Sequence, residues 1–203
     1  MSGSQRGQRL PKRYIVTGAP GAGKTALLRA LQERHWSVVE EAATDVIAWQ
    51  QAAGRSEPWC DRGFTGEIAL LQRQRQLQPV PADVDVQFYD RSPLCTLALA
   101  KFLEHRVPEE LSAEIDRVTL REVYENTVFF VRPIGFIEPT AARQISYADS
   151  LTFEAMHEAV YRDHGFQLVD IAPGSVAERV ATVEARIAGE QNGRIKGPTG
   201  SSH

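Results

Sequence analysis

The chain has 203 residues, with 23 Lys and Arg against 26 Asp and Glu, a formal charge of −3 and 42% hydrophobic residues. That length suits one ordinary domain whose core needs no disulfide or metal staple. The charge excludes a surface basic throughout, though not a local basic pocket, and two cysteines, Cys60 and Cys95, are too few for a disulfide framework or a four-ligand zinc site.

Residues 1–12 carry Arg6, Arg9 and Lys12 among Ser, Gly and Gln and lack the apolar stretch of a signal peptide. They read as a flexible leader. No apolar run approaches the roughly 18 residues a membrane span requires, so the chain reads as cytoplasmic. Tyr14 to Thr17 predicts a buried strand, followed by a glycine turn and a helix to about Arg34. Trp36 to Val39 predicts a second strand, Glu41 to Ala53 a helix, Gly54 to Gly63 a loop and Phe64 to Leu77 a helix stopped by Pro79 and Pro81. Val84 to Tyr89 is the third strand, with helices over Leu94 to Glu104 and Pro108 to Val118. Thr127 to Val131 is the fourth strand, Ser150 to His164 a helix and Gln167 to Ile171 the fifth strand. Val176, Val180, Val183 and Ile187 share one face of a last helix. The ordered domain is expected over residues 13–188. Residues 189–203, rich in Gly and Ser, read as a disordered tail.

Strands alternating with helices imply β-α-β crossovers and a mostly parallel five-stranded sheet covered on both faces. Ligands on such sheets bind beyond the carboxyl ends of the strands. At the first such end stands Gly18-Ala19-Pro20-Gly21-Ala22-Gly23-Lys24-Thr25, with Ala26 behind it in the first turn of the helix. This is a complete G-x-x-x-x-G-K-[ST] motif between a strand and an amphipathic helix carrying Leu27, Leu28 and Leu31. The glycines let successive N–H groups converge on an anion, and the helix adds its positive dipole end. Lys24 supplies a mobile charge for the β- and γ-phosphates, and Thr25 a hydroxyl for Mg²⁺.

Two charged pairs follow later strands. Glu40-Glu41 ends the second, Glu40 being preferred because it continues the strand directly; Asp90-Arg91 ends the third, with Ser92 behind. Asp90 on a rigid strand suits a metal-shell carboxylate or a base for an acceptor hydroxyl, and Arg91 suits a bidentate phosphate clamp. The competing reading of Asp90-Arg91-Ser92 is a surface ion pair and a helix cap. Residues 132–143, holding Arg132, Arg143, two prolines and a glycine, have the composition of a closing lid, from which Arg143 would reach the γ-phosphate. Trp36, Trp49 and Trp59 read as packing. His35, His105, His157 and His164 lack metal-like clustering.

These residues together resemble a family: the small P-loop ATPases labelled AAA that are related to the ribosylnicotinamide kinase domain (the NadR-type AAA domain). The resemblance runs from about Arg13 to Ala188. It rests on Tyr14 through Thr25, Val39-Glu40-Glu41-Ala42-Ala43, Asp90-Arg91, the Arg143 region, Gly165 through Ile171, and Ser175-Val176-Ala177-Glu178-Arg179-Val180. It implies a P-loop NTPase fold, a kinase-like three-layer αβα sandwich, with nucleotide on the glycine loop. Asp90 followed by Arg91 departs from the paired acids of ring-forming motors, and few residues follow the last helix, which favours phosphoryl transfer over mechanical work.

The expectation is an ATP- and Mg²⁺-dependent phosphotransferase. Lys24, Asp90 and Arg143 would be catalytic, and Thr25 and Asp90 on the metal. Glu40, Glu41, Asp90 and Arg91 would face a small hydroxylated or nucleoside-like acceptor. The alternative is a regulatory NTPase, using ATP or GTP, that signals to a protein partner. No nucleic-acid partner is expected; a homo-oligomer is compatible with the sequence.

Overall fold

In the computed structural model, which describes residues 10–133 and 147–195, every strand run read from the sequence is present. The strands are β1 (Lys12–Thr17), β2 (Ser37–Val39), β3 (Val86–Asp90), β4 (Thr127–Val131) and β5 (Gln167–Ile171). The helices are α1 (Lys24–Glu33), α2 (Ala42–Ala52), α3 (Phe64–Gln76), α4 (Pro93–Phe102), α5 (Glu109–Leu120), α6 (Tyr147–Asp163) and α7 (Val176–Ile195). A 3-10 turn covers Pro58–Cys60. The five strands pair in the order β2-β3-β1-β4-β5, and every pairing is parallel.

The layers follow from alternation along the strands. Tyr14 and Val16 of β1 face the side covered by α1 and α7, where Leu27, Leu31, Val180 and Val183 are buried. Ile15 faces the other side, with Leu94, Ala98, Leu111 and Tyr161 from α4, α5 and α6. A smaller cluster of Ala42, Val46, Phe64 and Ile68 joins α2 to α3. Among the described residues, no helix is long and apolar enough to cross a membrane.

Three differences have physical reasons. Helix α7 continues to Ile195, through residues read as tail. Glu190 holds that extension, its carboxylate accepting from Tyr14 Oη at 2.8 Å and Thr127 Oγ1 at 2.6 Å, with Arg186 paired to it at 3.0 Å. Val176, expected on the buried face, is 40% exposed, because α7 starts there and the sheet is reached one turn later. Trp49, read as packing, is 59% exposed on α2, whose buried face is formed by Val46 and Gln50.

Register decides what meets at the carboxyl edge. Val16 lies beside Asp90, Thr17 beside Phe130, and Val39 beside Tyr89. The Arg91 N–H donates to the Val16 carbonyl at 3.1 Å, carrying the β1–β3 ladder one residue past β3. The ends of β1, β2 and β3 therefore finish level with one another.

Candidate functional site

Chain leaving β1 enters Gly18 at a φ of 141°, where a Cβ would stand 2.3 Å from the Val131 carbonyl oxygen at the end of β4. No other residue type fits against that neighbouring backbone. Gly23, at a φ of 86°, ends the loop and caps α1 without any side-chain hydrogen bond. The first turn of α1 holds no acidic residue. Its N–H groups are thus left to an anion, with the helix dipole behind them.

Lys24 is 8% exposed and folds back over the loop, its Nζ donating to the carbonyls of Gly18 at 3.2 Å and Ala19 at 3.4 Å. Burial, and then the charge of Arg91, lower its pKa to about 8 against the opposing pull of Asp90 and Glu41. Such an ammonium prefers an anion to a pair of carbonyls. A triphosphate arriving above that pKa must bring a proton onto Lys24 as it binds. Affinity for inorganic triphosphate should therefore weaken by about tenfold per pH unit above about 8 and stay level below it. Calorimetric titration across that range checks this, and an affinity unchanged with pH excludes Lys24 as the phosphate ligand.

Of the acidic pair after β2, Glu41 lines the cavity and pairs with Arg91, whereas Glu40, preferred from the sequence, stays at the surface and reaches the site only through its charge on Asp90. Glu40 is exposed, and its carbonyl accepts from Arg75 Nη1 at 2.7 Å. Glu41 pairs with Arg91 Nε at 2.5 Å. Burial would raise its pKa, but Arg91 and then Lys24 pull it below the ordinary carboxylate value. The reason is register: with Val39 beside Tyr89, Glu41 falls level with Arg91, and the chain must turn there to begin α2.

Arg91 has a φ of 71° and a side chain only 13% exposed, so the surface-pair reading fails. The capping reading fails as well, because α4 has no side-chain cap bond and the Ser92 hydroxyl is bonded to Tyr161 Oη at 2.8 Å. Arg91 is held from two sides. Glu41 holds Nε, and Nη1 lies 3.3 Å from His157 Nε2. His157 Nδ1 lies 2.9 Å from the Phe153 carbonyl, which can only accept, so Nδ1 carries the proton and Nε2 accepts from Arg91. Burial, and then Arg91, lower the pKa of His157 to about 3, so the ring stays neutral. The sequence reading passed over this histidine. Its signal is a polar residue, with Glu154, inside the buried stripe of α6.

Asp90 ends β3 with its Oδ1 buried and unpartnered. Burial raises its pKa, Lys24 lowers it and Glu41 raises it, with a net rise. An orphaned, electron-rich oxygen beside a phosphate loop fits a divalent cation, and Thr25 offers an exposed hydroxyl from α1. Among the described residues no group of three or more His, Cys, Asp or Glu side chains would hold a metal alone. A cation here would come with phosphate oxygens, as Mg²⁺ on a triphosphate does.

A cavity of about 180 Å³ opens beside this cluster. Its lining includes Glu41 and Arg91, Pro20 of the loop, the polar Gln72 and Thr96, and apolar residues such as Ile68, Leu99 and Phe153. Thr96 Oγ1 donates to Gln72 Oε1 at 3.0 Å, which fixes the Gln72 amide in its wall. Cys95 also lines the cavity, and its Sγ sits 3.1 Å from Thr17 Oγ1 and 2.9 Å from Tyr161 Oη, tying β1 to α4 and α6. A larger concavity, about 820 Å³ around His105, shares no lining residue with this site. It mixes Arg62 and Arg106 with Glu104, Glu109 and Glu110, so it concentrates neither sign of charge.

Of the expected lid, Arg143 lies outside the described residues. Arg132 is not an open lid residue: Glu154 at 2.6 Å, Asp170 at 2.8 Å and Glu158 all pair with it, and its guanidinium lies 4.4 Å over the Phe130 ring. It fastens β4 to β5 and α6.

An AAA-domain family model matches residues 13–179. No curated protein sequence matches the chain. Among solved structures, NadR in complex with NAD and AMP-PNP superposes with a TM-score of 0.61 at 16% identity, over 95% of this chain and 52% of that one. NadR in complex with NR gives a TM-score of 0.62 at 16% identity, over 86% of this chain and 50% of that one. Deoxyadenosine kinase from M. mycoides, with dCMP and dCDP bound, gives 0.59 at 13% identity, over 88% and 99%. The chain spans about half the length of the NadR chains. The shared fold is that of the P-loop kinases.

Proposed function

The chain belongs to this AAA-domain family, and from that premise we propose that it is an ATP-dependent phosphotransferase acting on a small hydroxylated, nucleoside-like acceptor. The observation that carries the reading is one juxtaposition. Lys24, Asp90, Glu41 and Arg91 gather at the phosphate loop, and Glu41 and Arg91 also line the adjoining cavity. A purely regulatory nucleotide switch needs no such second chamber. The AMP-PNP of one NadR structure and the dCMP and dCDP of the deoxyadenosine kinase support nucleotide and nucleoside chemistry on this fold.

The triphosphate lies on the loop N–H groups and the N-terminus of α1. Lys24 leaves the Gly18 and Ala19 carbonyls for the β- and γ-phosphate oxygens. Thr25 Oγ1 and Asp90 Oδ1 are the atoms that would hold Mg²⁺, which when bound neutralises charge on the phosphates. The acceptor hydroxyl oxygen forms a bond to the γ-phosphorus as the bond to the β,γ-bridging oxygen breaks, and ADP departs. Glu41, the carboxylate lining the cavity, takes the hydroxyl proton, and Arg91 neutralises the passing phosphoryl group. His157 is a positioning residue, because it is tied to the Phe153 carbonyl and acts on the site through Arg91.

The test is turnover against a panel of nucleosides and other hydroxylated metabolites. ADP release should rise at least about a hundredfold with one class of acceptor, with matching phosphorylated product. Slow release indifferent to every acceptor, but altered by a protein partner, overturns the proposal in favour of a regulatory NTPase.

A further inference from the structure

Helix α7 brings a charge to the phosphate loop that the reaction scheme does not use. Arg179 stands in its first turn, is 3% exposed, and donates from Nη1 to the Ala22 carbonyl at 2.7 Å. Its Nε and Nη2 are buried with no hydrogen-bond partner. No ion pair reaches it among the described residues; the nearby carboxylate of Glu178 is exposed and bonds Ser175 instead. A guanidinium is charged at every ordinary pH, so this is a full positive charge held out of water with one neutral acceptor.

That arrangement is costly in isolation. A buried charge normally has a counter-charge, and an uncompensated one is strongly unfavourable. The partly buried Arg91 and Arg117 have carboxylate partners, Glu41 and, at 2.7 Å, Glu114; the buried Arg13, like Arg179, has a neutral one, donating from Nε to Gln87 Oε1 at 3.3 Å. What sets Arg179 apart is its place: it sits against the backbone of the glycine loop, the segment suited to receive a polyanion. The loop has no counter-charge of its own.

We propose that Arg179 is a built-in electrostatic member of the nucleotide site, whose missing counter-charge is the bound triphosphate. The inference rests on the nucleotide reading of the loop. It adds a second function for α7: the helix covers the sheet, and it also biases the loop toward an anion from behind. The bond to Ala22 sets the loop carbonyl outward, away from the phosphates, and the unpaired charge adds to the field of Lys24 without touching the ligand. Arg179 is therefore a positioning and field residue. It makes the free protein carry an electrostatic strain that binding relieves.

This gives opposite signs for two measurements, which a merely structural arginine would not. In Arg179→Met, of similar length, affinity for Mg²⁺·AMP-PNP should fall about tenfold, as loss of one nearby unscreened charge implies. The thermal midpoint of the free protein should stay within about 3 °C of the parent or rise. Arg179→Lys, which keeps the charge, should recover affinity to within about threefold of the parent. A Met variant that melts far below the parent with unchanged affinity overturns the proposal. Equal losses of affinity in the Met and Lys variants overturn it too, since charge would then be irrelevant. Lys24→Ala serves as the separate check. If it removes AMP-PNP binding while Arg179→Met binds as the parent does, the Arg179 inference alone fails. If Lys24→Ala binds normally, the reading of the loop itself falls.

Discussion

Lys24→Ala is expected to cut phosphoryl transfer by about a thousandfold or more while leaving the fold intact. The loss is large because the ammonium meets charge that grows in the transition state. The fold survives because Lys24 contributes little to it. Among the described residues its side-chain hydrogen bonds go to the carbonyls of Gly18 and Ala19, and burial already disfavours its charged form. The sign of the stability effect follows from linkage. The folded pKa, about 8, lies below the ordinary 10.5, so the unfolded chain binds more protons between those values. The stability of the parent rises with pH across that window, the cost of the buried charge being complete below it. Alanine removes this rise. Thermal melts on both sides of the window, beside steady-state kinetics, check both halves; an active variant, or one that fails to fold, contradicts the assignment.

Asp90→Asn should lower turnover about a thousandfold as well, with little change in nucleotide affinity measured without divalent cation. Its predicted signature is the cation dependence. The parent should bind nucleotide more tightly with Mg²⁺ than without it, and the variant should lose most of that difference, because Asn has no charge to hold a cation. The free variant should melt no lower than the parent. Burial raises the Asp90 pKa, so the folded state binds the extra proton between the ordinary value of 3.8 and the raised one. Stability of the parent therefore falls as pH rises through that window, and the Asn variant lacks the fall. Unchanged cation dependence would show that Asp90 is not in the metal shell.

The phosphate loop and the strand pattern were legible in the sequence because both are local. A glycine–lysine motif carries its own geometry, and strands buried on both faces leave continuous apolar runs such as Thr127–Val131. Fold class followed from alternation alone. What was not legible depends on register and on residues far apart in the chain. Choosing Glu41 over Glu40 required knowing that Val39 lies beside Tyr89. His157 and Arg179 looked like ordinary helix residues until α6 and α7 were set against β3 and the glycine loop. The continuation of α7 past residue 188 depends on Tyr14 and Thr127, which nothing near Glu190 announces. Arg132 resembled a lid arginine by composition, but the three carboxylates that hold it come from α6 and β5.

The position of β1 bears on how the molecule assembles. It is the first of the five described strands and the middle strand of the sheet, with Ile15 paired to Tyr89 on one side and to Val128 on the other. A chain emerging amino end first can form the β1–β3 pair once β3 is made, but the other edge of β1 stays open until β4 has been synthesised. Its apolar face and unpaired backbone remain sticky throughout that interval. Closure then depends on contacts between distant parts of the chain, the condition that slows folding most. The strand carrying the phosphate loop is made first and enclosed late, so the binding site matures only when the sheet does.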